Sequence, residues 1–252
     1  MFTRYQMAKL LIHLRAMNVT EALALVKTVW SAMRSSRSNE LGDASGRSSN
    51  DAGLSLAMPG GIPTLPPILH KIIGLEGARS KSIGFSMNDI VALGNQMEYA
   101  NLSTTTVQNW IKRDVKDIIA TPQAGKKYSV EQVATIFVIE DLKSSLDFES
   151  IRRMLGLIFN DPRSDDDDVI HPVDFLAAYA EVYEKFRTKG LAVADIAHHA
   201  RTFAEGLADA GAEERRSVAH AITVAVLALQ ASSFQFAAKT IASSVVIDRR
   251  LS

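Results

Sequence analysis

The chain has 252 residues, 47% of them hydrophobic, which is enough to bury a core in one or two domains. Lys plus Arg and Asp plus Glu both number 28, so the formal charge is zero and any attraction to nucleic acid must be local. Cysteine is absent, which excludes disulfides, zinc–thiolate sites and thiol redox sensing, and fits a reducing cytosol.

The opening residues are basic, but Lys9, His13 and Arg15 interrupt the apolar stretch that follows, and no small-residue cleavage site lies behind it. The most apolar window, Ala219 to Ala231, is too short for a membrane span and holds His220, Thr223 and Gln230. A soluble, cytoplasmic protein without membrane contact is the expectation. Residues 1–34 carry helical periodicity (Met7, Leu10, Leu14, Met17, then Leu25, Val29, Trp30), with a break near Asn18 and Thr20. From 35 to 61, Ser, Asn, Gly, Asp and Arg dominate, which predicts a flexible linker. Pro59, Pro63, Pro66 and Pro67 then stiffen the chain before an ordered region starts at Ile68.

The middle of the chain repeats one piece of punctuation. Phe85/Ser86/Ile90, Leu102/Ser103/Val107, Tyr128/Ser129/Val133 and Leu146/Asp147/Ile151 each place apolar residues around a Ser or Asp N-cap, a hydrophobic staple. Ser129 with Gln132 also completes a capping box. These signals predict helices near 87–97, 104–114, 130–144 and 148–159. Between the second and third, Ile118 to Tyr128 reads as two short extended pieces around Pro122 and Gly125, a small two-stranded wing. The acidic run Asp161 to Asp168 fails the calcium-loop spacing and reads as a solvated loop.

Beyond it the chain is helical. Phe175, Ala178, Tyr179, Val182 and Phe186 mark one helix, and Val193, Ile196, Ala200, Phe203 and Leu207 form a coiled-coil-like seam on the next. Gly211 is expected to end that helix, and a last Ala-rich helix runs to about Ala242, apolar over much of its circumference. Such a helix must be buried, inside a bundle or against another subunit.

The run from Leu102 to Arg113 has the composition of a DNA-contacting helix. Val107, Trp110 and Ile111 form its inward stripe, leaving Thr104, Thr105, Gln108, Asn109 and Lys112 near the outside. Gln and Asn offer adenine a donor and an acceptor side by side. Lys112, Arg113, Lys126 and Lys127 would sit on phosphates. The same residue types also suit any solvated helix face, and Glu140, Asp141, Asp147 and Glu149 just downstream weaken the local field. Tyr128 reads as a wing residue or as the staple partner of Val133, and Trp110 as core. His198 and His199 point about 100° apart on a helix, so they make poor joint metal ligands. No catalytic pair, Gly-rich phosphate loop, metal site or cofactor motif is seen, so no enzyme is expected.

The order Leu-Ser-x-x-Thr-Val-x-x-Trp from Leu102, then Gly125-Lys126-Lys127-Tyr128-Ser129, then Leu146 to Leu155 resembles the MerR-type winged helix-turn-helix. The text from Leu65 to Phe186 resembles, more closely, bacterial domain-of-unknown-function family 1836. It does so through Leu65-Pro66-Pro67-Ile68-Leu69, Leu102 to Arg113, Gly125 to Tyr128, Asp141 to Phe148 and Pro172-Val173-Asp174. The resemblance implies a mainly α fold: a winged helix-turn-helix domain over 62–160 with a two-stranded wing, then a C-terminal helical dimerisation or effector region over 173–252. It implies contacts to double-stranded DNA from Thr105, Gln108, Asn109, Lys112 and Arg113 on the helix, with Lys126, Lys127 and Tyr128 on the wing. Gln108-Asn109-Trp110 departs from the Arg and Tyr common in MerR regulators, and sensor cysteines are missing. The expected function is a homodimeric, sequence-specific transcriptional regulator. The alternatives are a protein-interaction adaptor that keeps the fold without reading DNA, and a C-terminal bundle that holds a small apolar ligand.

Overall fold

The computed structural model describes residues 1–44, 66–73, 83–122, 126–159, 168–188 and 192–251. Eleven α-helices are described: α1 (Arg4–Arg15), α2 (Val19–Ala44), α3 (Pro67–Ile73), α4 (Met87–Gly94), α5 (Thr104–Asn109), α6 (Lys116–Ile119), α7 (Val130–Leu142), α8 (Phe148–Leu155), α9 (Pro172–Phe186), α10 (Val193–Glu205) and α11 (Ala212–Leu251).

Their starts follow local chemistry. Ser86, Ser103, Ser129 and Asp147 each accept a hydrogen bond from the backbone N–H three residues on, so all four caps form where the staples place them. Ser86/Asp89, Ser129/Gln132 and, in the N-terminal helix, Thr3/Gln6 close reciprocal capping boxes. The α1–α2 break falls at Met17, whose φ of 55° turns the chain. The segment expected to be a linker is helical as far as Ala44, and 45–61 lies outside the described residues. Gly206, not Gly211, caps α10; the Gly211 N–H instead bonds the Glu214 side chain at the start of α11. The acidic run over 161–167 lies outside the described residues.

Helix α7 is the hub. Every residue from Gln132 to Leu142 is buried, because α1, α6, α9 and α11 all pack on it. Helix α1 lies against α9 and α7 through Met7, Leu10, Leu11 and Leu14, an i, i+3, i+4, i+7 stripe. Helix α10 packs on α11, with Ile196, Ala200 and Ala204 buried and Val193 and Phe203 left exposed. One continuous apolar cluster runs from Phe2 to Leu229.

The expected wing is overturned: no β-strand forms among the described residues, and isolated bridges such as Phe2–Met97 and Phe85–Tyr128 take its place. The physical reasons lie in 116–132. Ile118 and Ile119, read as extended, close the short helix α6. Ala120 then takes a positive φ of 56°, which breaks any strand direction. Gln132, buried in α7, donates from Nε2 to the carbonyls of Ile119 (2.6 Å) and Thr121 (2.8 Å), satisfying acceptors that a partner strand would need. Pro122 has no N–H to offer a ladder. Residues 123–125 lie outside the described residues. The MerR-like winged helix-turn-helix is therefore not the fold observed.

Candidate interaction surface

The helix expected to read DNA is short and irregular. Helix α5 ends at Asn109, and Trp110–Asp114 continues as a π-helical turn closed by the Val115 N–H on the Trp110 carbonyl at 2.8 Å. Helices α4 and α5 are joined by all of 95–103, where a helix-turn-helix uses a turn of about three or four residues. Asn95 organises that link, donating to the Leu102 carbonyl (2.9 Å) and accepting from its N–H (2.8 Å).

The predicted contact residues sit as follows. Thr105, Gln108, Asn109, Lys112, Arg113, Lys126 and Lys127 are exposed, while Thr104 and Tyr128 are half-buried. The Thr104 hydroxyl reaches Asn88 at 3.4 Å. Arg113 pairs with Asp114 at 2.8 Å, and that hydrogen bond and charge raise its pKa. Tyr128 exchanges backbone hydrogen bonds with Phe85 and is pushed up in pKa by burial, as a staple residue would be. Trp110 is core: it packs on Phe148 at 6.0 Å, and Lys143 lies 5.1 Å above its ring. With no strand among the described residues and no short turn between α4 and α5, these residues are not brought into a winged DNA-reading unit, which corrects the expectation of a sequence-specific regulator of MerR type.

Sequence reasoning missed a buried polar cluster. Arg4 (3% exposed) donates from Nε and Nη2 to Asp141 (1% exposed) at 2.6–2.9 Å, and from Nη1 to the Glu98 carbonyl at 2.6 Å. The Tyr179 hydroxyl donates to Asp141 Oδ2 at 2.6 Å. Burial works to lower the Arg4 pKa, yet the Asp141 carboxylate outweighs it and holds the guanidinium above its ordinary value. Burial, then the Asp141 charge, pushes the Tyr179 phenol well above its usual range. Glu140, next in line, is raised by burial, an effect opposed by Lys143 3.2 Å away and by the Asn101 N–H. Asp141, counted from sequence among the acids surrounding α5, is thus satisfied internally by Arg4. The cluster borders a cleft of about 460 Å³ whose far wall is α11, through Ser232, Gln235, Phe236 and Lys239.

The other feature is α11 itself. Its 40 residues make a rod of about 60 Å. Val218, Ala221, Ile222, Ala225, Val226 and Leu229 enter the core. The burial expected of the whole helix stops there: Phe234 (68%), Phe236 (51%) and Ile241 (65%) are exposed. Phe236 touches Tyr99 of the body at 5.5 Å between ring centroids. Ala212–Ser243 is long and apolar enough to cross a membrane by length and composition, with a third of its most apolar window buried in the body. The Ala219–Ala231 window read as too short is therefore part of a longer apolar helix. Beside it, the α10–α11 groove of about 300 Å³ is lined by Ala197, Ala204, Ala212 and Ala219 together with Arg201, Glu205, Arg215, Arg216 and His220.

No group of three or more His, Asp or Glu able to hold a metal occurs among the described residues. His199 bonds Lys185 (2.7 Å) and the Asp195 carbonyl (2.9 Å).

No solved structure matches the chain. YkrK, an uncharacterized protein of Bacillus subtilis (strain 168), is 45% identical over 106 residues, which cover 42% of this chain and 46% of YkrK. The chain therefore spans about half the length of this curated relative. Residues 81–186, from just before α4 to the end of α9, match the family described as Domain of unknown function (DUF1836), so the chain is similar to that family through its central helices.

Proposed function

We propose that this chain is a protein-interaction adaptor: an all-helical body whose last helix is presented to a partner. The observation that carries the reading is the exposure of Phe234, Phe236 and Ile241 on one helix that continues out of the core. Phe234 and Ile241, seven residues apart, share one face of it, and large exposed apolar side chains grouped on a face mark association surfaces in soluble proteins. Burying one such side chain is worth roughly 1.5–3 kcal/mol, so several together can support a complex.

A photo-crosslinking residue placed at Phe234, Ile241 or Lys112 in the full chain inside cells tests it. Protein adducts are expected from 234 and 241 and not from 112. Their absence from both helix positions would refute the reading.

A further inference from the structure

The exposed side of α11 has a stricter pattern than apolar composition requires. Leu227, Ala231, Phe234, Ala238 and Ile241 follow one another at spacings of four, three, four and three, the heptad period of a helix that packs along another helix. At 100° per residue these five lie within about 80° of one another. Phe236, the residue held against Tyr99, points about 160° from Phe234, and Ser232 and Lys239 also face the body side. The buried residues Val218, Ile222, Ala225 and Leu229 likewise lie opposite Leu227. The seam therefore runs along the outward face of the helix, from the body to its projecting end.

From this pattern we infer that the partner is a second copy of this chain, docked antiparallel along the same seam; the inference rests on the adaptor reading. Large and small side chains alternate: Ala231, Phe234, Ala238, Ile241. In an antiparallel pair centred on residue 236, Ala231 meets Ile241 of the other copy and Phe234 meets Ala238. Each layer between 231 and 241 then joins one large and one small side chain, as close packing requires. A parallel pair would stack Phe234 on Phe234 and leave alanine facing alanine at 231 and 238. The seam is thus complementary to its own reverse, the property of an isologous two-fold interface. Charge does not oppose it. Between Ala219 and Ile247 the only ionisable residues are His220 and Lys239, and Lys239 lies on the body side. Ala237 and Ala242 flank the seam and allow close approach.

The absence of native cysteine makes the test unambiguous. Full-length Ala231→Cys and Ile241→Cys are treated with a short bismaleimide, alone and mixed, beside sedimentation of the unmodified chain. A sedimenting dimer is expected, with crosslinking in the mixture and little in either variant alone. Phe234→Glu with Ile241→Glu should weaken the dimer roughly a hundredfold or more. The helical circular-dichroism signal should be unchanged, because both sites are exposed. Efficient crosslinking of either variant with itself overturns the antiparallel arrangement. A monomer at all concentrations, or flotation with phosphatidylcholine vesicles in place of dimerisation, overturns the second copy as partner. If the chain is monomeric but a photo-crosslinker at 234 captures a different protein, the second copy fails and the adaptor reading stands; with no adduct at all, both fail.

Discussion

Changing Asp141 to Asn leaves the Arg4 guanidinium where it is, still charged and 3% exposed, but with no counter-charge. Three donor contacts from Arg4 and one from Tyr179 converge on that carboxylate, so the substitution also strains four hydrogen bonds. Breaking a buried pair from one side costs about 3–5 kcal/mol. In a chain of this size that lowers Tm by about 6–20 °C. Arg4→Met carries a similar cost from the other side. Combining Arg4→Met with Asp141→Leu removes both charges, leaving the Tyr179 hydroxyl and the Glu98 carbonyl to find other partners. The double variant should therefore be more stable than either single variant by at least about 1 kcal/mol. Asp141→Leu alone completes the cycle, and urea unfolding followed by circular dichroism reads all four corners. A loss under about 1 kcal/mol for Asp141→Asn, or strictly additive single effects, would show that the pair does not hold α1 to α7 and α9.

Gly94→Ala should cost about 1–3 kcal/mol, because the new Cβ would lie 2.2 Å from Leu102 Cδ1 and 3.0 Å from Phe137 Cε1; unchanged urea stability would mean that the α4–α5 link yields freely. Gln132→Leu strands the Ile119 and Thr121 carbonyls and removes the acceptor of the Ser129 N–H in the capping box, a loss of at least about 1–3 kcal/mol. Faster amide exchange over 119–122 should accompany it, and exchange that stays slow there would contradict the role given to Gln132. Glu140 has a pKa raised in the folded chain, first by burial, so its favourable contribution is present below the ordinary carboxylate value and is lost as pH rises through the raised one. Relative to Glu140→Gln, the unaltered chain should accordingly gain stability as pH falls from about 7 to about 4.5. A difference that is flat or of opposite sign in matched urea titrations excludes the shift.

What could be read in advance follows the range of the interactions. The caps at Ser86, Ser103, Ser129 and Asp147 were legible because each bond spans three residues and competes with nothing distant. Ile118 to Tyr128 misled because its two decisive events are invisible locally: a positive φ on an alanine, and a side chain from the next helix occupying the carbonyls. Arg4 and Asp141 are 137 residues apart, so a charge count could only place Asp141 on the surface. The α11 seam lay in the spacing of 227–241, but an Ala-rich helix that is apolar on several sides hides its period until the core-facing side is known.

The buried cluster also separates two borders that are easily taken for one. The segment shared with DUF1836 contains Asp141 and Tyr179 but stops short of Arg4, which belongs to the N-terminal helix α1. The stretch of ancestry visible in the text is thus not the stretch that closes on itself. An excised 81–186 would carry an interior carboxylate with its cation cut away, and an open side where α1 had lain.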